Sequence, residues 1–319
     1  MGPIAAILPG NRLHLQHGPI DLVIGADGPV DQVKATCLAA RARFQTILPV
    51  LVGELPALRR PVQPGQRFDG PVAQRMAEAV LRNTDVFVTP MAAVAGSVAD
   101  EVLAAMRTAA PALPKIWVNN GGDIAVHLAG DATFEAAMIA DPATGREAGR
   151  LTLRACDGIG GVATSGRHGR SLSLGIADAV TVLARNAASA DVAATLIANA
   201  VDLPGHPAIH RTPAQEIDPD SDLGERLVVI DVGELLDCEI AEALAGGLTV
   251  AERMISKGLI HSANLCLAGQ TGTTHPVIPA LSGDPGKRPR RSFNSSLGHH
   301  AWTPGQAGGD GREFSHALT

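Results

Sequence analysis

The sequence predicts an α+β fold. Alternating polar and apolar stretches come in closely spaced pairs. The helical periodicities are gathered into runs between those pairs. No regular βαβ succession appears. With 319 residues, 45% of them hydrophobic and 18% charged, the chain is long enough to bury a sizeable core.

Residues 11–28, NRLHLQHGPIDLVIGADG, alternate on both sides of His17-Gly18-Pro19, a hairpin signal. From Pro29 to about Leu58 the apolar spacing is helical, and RRPVQPGQ then reads as a loop. GPVAQRMAEAVLRN reads as a short helix, VFVTP as a short strand and residues 92–110 as a helix rich in small residues. KIWVNNGGDIAVHLAG, residues 115–130, is strand, turn, strand. TFEAAMIA, GRLTLRA and GIADAVTVLA continue as strands, and ASADVAATLIANAV is a helix. RLVVIDVGEL is strand-like, CEIAEALAGGLTVAERMISKG is helical with a Gly-Gly interruption, and HSANLCLAG is a closing strand. The domain is expected over residues 1–284. Beyond it, residues 285–319 are rich in Gly, Pro, Ser, Arg and His without periodicity, and are expected to be a disordered tail.

Several function classes are disfavoured. A net charge of −6 gives no global basic field for nucleic acid or an anionic membrane. Aromatic residues make up 3%, with no tyrosine, which leaves little for base stacking. No apolar run spans a bilayer and the N-terminus lacks a signal-peptide pattern, so a cytoplasmic protein is expected. Cys37, Cys156, Cys238 and Cys266 lack metal or redox spacing and read as small buried residues in a reducing compartment.

Three stretches carry candidate chemistry. In the turn at 119–123, Asn119 and Asn120 offer amides, Gly121 and Gly122 let a ligand approach the backbone, and Asp123 adds a carboxylate. A tolerant hairpin turn would use the same residues. Residues 157–178, DGIGGVATSGRHGRSLSLGIAD, hold glycines, Thr164, Ser165, Arg167, His168 and Arg170, a set suited to phosphate. The stretch has neither P-loop nor dinucleotide-fingerprint spacing, and a solvated surface loop would look alike. In the third, Ser189 reads as an N-cap, with Asp191, Thr195 and Asn199 on one face of a mostly apolar helix. Asp191 and Thr195 could hold Mg²⁺, or could serve only the helix terminus and backbone.

With these stretches in hand, the sequence resembles the ApbE superfamily, whose enzymes bind FAD with Mg²⁺ and transfer FMN to a threonine or serine of a target protein, or hydrolyse FAD. VNNGGDI is similar to the NxGGD motif of those enzymes. ATSG, residues 163–166, is similar to their flavin loop. VTVLARNAASADVAATL matches the segment that supplies their two side-chain metal ligands, and AAVAGSVAD is a degenerate form of AIAKGYAAD. More closely, residues 10–270 resemble a small uncharacterised-protein family within that superfamily.

The resemblance implies two similar halves built on mixed or antiparallel sheets flanked by helices. It also implies Mg²⁺ held by Asp191, Thr195 and the carbonyl of Val94. Asn119, Asn120, Gly121, Gly122 and Asp123 would line the nucleotide pocket, with Thr164, Ser165, Gly166, Arg167 and Arg170 around FAD or a related nucleotide. Two departures stand out: Ala95 occupies the place of a lysine, and the HIIDPxTG segment with its acceptor-activating histidine is absent. His168 and Asp178 are the candidates to replace it. The readings are an FMN-transferring or pyrophosphate-cleaving enzyme with an acceptor protein, a non-catalytic flavin carrier, and an enzyme for another cofactor such as a pterin. The small-residue helix at 92–110 could pack against a second copy or its own core.

Overall fold

A computed structural model describes residues 2–63, 65–83, 85–141 and 146–274; the expected tail, 285–319, lies outside the described residues. The chain opens with β1 (Ile4–Leu8), β2 (Arg12–His17) and β3 (Ile20–Asp27), then α1 (Val30–Leu58), α2 (Pro71–Val80) and α3 (Val94–Ala109). β4 (Lys115–Asn120), β5 (Asp123–Leu128), β6 (Thr133–Asp141), β7 (Arg146–Arg154), β8 (Gly161–Ser165) and β9 (Ala179–Ala184) follow. Next come α4 (Ala187–Ala200), β10 (Ile209–Pro213), α5 (Ala214–Ile217), β11 (Leu227–Val232), α6 (Asp237–Ser256), β12 (Ser262–Leu267) and β13 (Gln270–Thr273).

Nine strands form one sheet in the order β1-β2-β3-β4-β5-β8-β9-β12-β13. Every neighbouring pair in it is antiparallel. The expected two halves are visible in the connectivity: β2–β3, helices, β4–β5, and then β8–β9, helices, β12–β13. The side-chain period of two divides the core. Ile116, Val118, Ala125, Ala163, Val182 and Ala184 face the helices. Ile124, Val126, Val162 and Leu183 face the opposite way, against Phe134, Met138, Leu151 and Leu153 of the β6–β7 hairpin. The central strands are therefore covered on both sides, and β9, AVTVLA, is buried along its whole length.

Several expectations are corrected. VFVTP is not a strand: Thr89 accepts the N–H of Met91 and starts a 3-10 turn at Pro90–Ala93, and Arg226 stacks over Phe87. The stretch 157–178 is not all loop, because it contains β8. The Gly-Gly pair does not interrupt α6; Gly246 and Gly247 let that helix lie against Ala200, Val201 and Leu265 without a Cβ in the way. The first strand, β1, and β10 lacked a clear periodic signal, whereas β11, paired with β10, lies within the strand-like RLVVIDVGEL. Of the cysteines, Cys37 and Cys266 are buried, whereas Cys156 and Cys238 are exposed; all four are free thiols.

Candidate functional site

The site grows from the way α3 and α4 start. Asp191, one turn into α4, accepts the N–H of Gly96 in the first turn of α3 at 2.9 Å. Asp100 of α3 returns the arrangement, accepting the N–H groups of Ala187 and Ala188 at the start of α4 at 3.1 and 2.9 Å. Each helix thus carries a carboxylate that satisfies the open N–H groups of the other and meets the positive end of its dipole. The pairing needs close approach: a Cβ on Gly96 would collide with the carbonyl of Ala187. The N-cap of α4 is Asn186, which accepts the N–H of Ser189, so Ser189 is not the cap as expected.

The 119–123 turn is a hairpin and a wall of the site at once. Gly121 and Gly122 both have positive φ, 65° and 116°, as a two-residue hairpin turn requires. Asn119 spends its Oδ1 on the N–H of Gly122 at 2.9 Å. Asn120 is buried and donates from Nδ2 to the carbonyl of Ala95 at 3.0 Å, tying the turn to the start of α3. Asp123 is thereby held opposite Asp191, and both line one cavity. Burial pushes the Asp123 carboxyl up to about 7, eased by the N–H of Thr164. Burial also raises Asp191 well above the usual carboxylate range; the Asp123 charge adds to this, and the N–H groups of Gly96 and Ala95 oppose it.

The end of β8 completes the walls. Thr164 shares a hydroxyl contact with Thr181 at 3.0 Å. Gly166 lies so close to the carbonyl of Asp178 that no side chain fits there. Asp178 is buried and takes four groups: Arg167 Nε and Nη2 at 2.9 and 2.8 Å, His168 Nε2 at 3.2 Å and the N–H of Ala268 at 2.6 Å. His168 and Asp178, the two candidates to replace the missing segment, are thus brought together. Arg167 gives Nε and Nη2 to Asp178, so only its remaining guanidinium donors are open to a phosphate. Arg170 is the arginine at the rim: it is exposed, has no ion-pair partner among the described residues, and reaches toward Gly121.

Two adjoining cavities result, of about 320 and 500 Å³, sharing Gly121, Thr164, Ser165, Gly166, Gly169 and Arg170. The smaller lies on the helix side and includes Val94, Asn120, Asp123, Asp191 and Thr195. The larger lies under the β6–β7 hairpin and includes Asn119, Ile124, Ala137, Ile139, His168, Asp178 and Ala179. Asn199 is absent from both. Its Oδ1 accepts the N–H of Leu174, and it lines a separate apolar groove, because successive four-residue steps drift round the helix. Gly96 and Asp100 were not singled out from the sequence. The signal was there: Gly96 to Asp100 repeats the four-residue step from Ala187 to Asp191. Among the described residues no group of three or more His, Cys, Asp or Glu gathers as a metal cluster, and no helix is long and apolar enough to cross a membrane.

A family model described as "AbpE bacteria" matches residues 5–273. A UPF0280 protein of Methanopyrus kandleri is 35% identical over 182 residues, 56% of this chain and 69% of that protein. One from Methanocaldococcus jannaschii is 39% identical over 114 residues, 35% of this chain and 45% of that protein. One from Methanosarcina acetivorans is 30% identical over 193 residues, 60% of this chain and 72% of that protein. A solved flavinyl transferase ApbE from Pseudomonas stutzeri aligns with a TM-score of 0.45 at 13% identity, over 85% of this chain and 93% of that one. The chain belongs to the family described as "AbpE bacteria" and is a relative of the UPF0280 proteins, an ApbE-like group.

Proposed function

We propose that the paired cavities bind a pyrophosphate nucleotide together with Mg²⁺, with FAD as the nucleotide, and that the chain transfers FMN to a hydroxyl or cleaves the pyrophosphate. The observation that carries this reading is the Asp123–Asp191 pair. Two partly open carboxylates with raised pKa values share one small cavity beside a helix start. A cation relieves that repulsion, and the donors are all oxygen: two carboxylates, the Thr195 hydroxyl and the nearby Val94 carbonyl, a set that suits a hard ion. When bound, Mg²⁺ neutralises phosphate oxygens and stabilises the charge that develops during displacement.

The chain's own residues divide the remaining work. Arg170 at the shared rim pairs with phosphate oxygens. Ile124, Ala137, Ile139 and Ala179 offer the larger cavity an apolar lining for a flat ring. Asp178 orients His168 through Nε2, leaving Nδ1 to take the proton of an attacking hydroxyl or water as the new O–P bond forms and AMP departs. A carrier without turnover is the second reading. It is favoured by Arg167, which already neutralises Asp178 and weakens its pull on His168.

Purified protein incubated with FAD and MgCl₂ tests both. AMP release supports the enzyme, and saturable FAD binding without AMP supports the carrier. Failure to bind FAD or any other pyrophosphate nucleotide, with or without Mg²⁺, overturns the reading.

A further inference from the structure

The reciprocal capping of α3 and α4 creates a second concavity, at the far end of β5 and β8. Asp191 lines the cavity at the start of α3, and Asp100 lines another, of about 460 Å³, at the start of α4. The two ends share no lining residue; the second is built from Val126–Leu128, Gly158–Gly160 and the segment entering α4. Its character is cationic. Arg75 from α2, Arg107 from the last turn of α3, His127 from β5 and Arg185 from the link between β9 and α4 converge on it.

We propose that this concavity binds a phosphate-bearing small molecule of up to mononucleotide size, at a site separate from the Asp123–Asp191 cleft. A chain of net charge −6 gains nothing in folding from bringing three guanidinium groups and an imidazole to one hollow. His127 feels one of them: its pKa is lowered first by burial and then by the Arg107 charge. Among the described residues only Arg75 has an acidic partner, Glu101 at 3.1 Å, which Arg43 shares at 2.8 Å. Arg107 and Arg185 have no ion-pair partner among the described residues, and both are exposed at the rim.

The backbone shapes the hollow for them. Gly160 packs against the carbonyl of Arg185, where a Cβ would collide, so that arginine is fixed at its root while its tip stays free. Asp100 at the floor is committed to two N–H groups of α4 and does not reach out as a counter-ion. Planar guanidinium donors in pairs match phosphate oxygens, and the volume is ample for a phosphate with a sugar or base attached.

The test uses inorganic pyrophosphate and AMP as probes, in EDTA so that cation-dependent binding in the main cleft is silent. Calorimetry is run at fixed ionic strength against sodium chloride. The expected result is saturable binding by the wild-type chain, weakened about tenfold or more by Arg107→Ser with Arg185→Ser. Arg170→Ala is expected to leave it unchanged. Response to FAD with Mg²⁺ is measured on the same preparations, and the double variant keeps it, which shows that the fold and main cleft are intact. The proposal is overturned if wild type binds neither probe beyond the salt control, or if affinity follows Arg170 rather than Arg107 and Arg185. Because the EDTA experiment does not depend on flavin, failure of the FAD reading leaves it standing.

Discussion

Asp191 accepts the backbone N–H of Gly96 across the α3–α4 contact, so the proposed cation ligand is also a structural cap. The two roles separate by substitution. Asp191→Asn keeps an acceptor for the cap but loses the charge, and is expected to fold with stability within about 1 kcal/mol of wild type while losing Mg²⁺-dependent nucleotide binding. Asp191→Ala removes both and is expected to cost roughly 1–2 kcal/mol in urea unfolding as well. Retention of Mg²⁺-dependent binding by the asparagine variant would remove Asp191 from the ligand set.

Gly96→Ala tests the closeness on which the capping depends. The added methyl meets the Ala187 backbone, which cannot swing away as a side chain could. The helices must part, at an expected cost of about 2 kcal/mol or more, read from the shift in urea midpoint. A neutral result would mean that the α3–α4 contact is looser than the geometry indicates.

Asp100 gives a pH signature. Burial pushes its carboxyl from 3.8 up to about 6, against the N–H groups of Ala188 and Ala187, which favour the charged form. The folded chain therefore binds more protons than the unfolded chain between those two values. The stability this group contributes is complete below about 3.8, falls as pH rises toward 6 and is level above it, a span of roughly 3 kcal/mol. Asp100→Asn does not titrate, so its stability relative to wild type is expected to rise between pH 4 and pH 7. Parallel unfolding profiles for the two proteins across that range would contradict the assignment.

The sequence made local features legible and long-range ones hard to see. The 119–123 hairpin, α1 and α4 follow from periodicity and turn chemistry within a few residues of one another. β8 was masked because its entry, Gly160 and Gly161, consists of residues that usually signal loops. Their reason is tertiary: both lie against the backbone of Arg185 and Asn186, where no Cβ fits. Ser189 and Asn186 are both good caps, and Ala187 and Ala188 suit a helix on either choice, so the sequence alone does not separate the two starts of α4. Arg167 and Arg170 are indistinguishable in a basic loop; only the position of Asp178 decides which one is taken. The motif order brought Asp123 and Asp191 to one cavity, but the reciprocal role of Asp100 required two helices to be seen together.

Arg170 separates binding from folding. It is exposed and makes no ion pair among the described residues, so Arg170→Ala is expected to leave stability within about 0.5 kcal/mol of wild type. Loss of a charge-assisted phosphate contact is expected to weaken FAD binding by roughly tenfold or more in fluorescence titration. Unchanged affinity would place the phosphates elsewhere.

His168 carries the chemical step of the transfer reading, and its partner makes the test specific. His168→Ala leaves Asp178 bound to Arg167 and to the N–H of Ala268, so the loop is expected to hold its shape. AMP release is then expected to fall by about 10²–10⁴-fold with FAD affinity nearly unchanged, the pattern of a lost general base. Asp178→Asn is expected to act on both arms. It removes the charge that anchors Arg167 and orients His168, so stability and turnover fall together. Equal turnover in wild type and His168→Ala would leave the His168–Asp178 contact a purely structural tie between the β8 end and the start of β9.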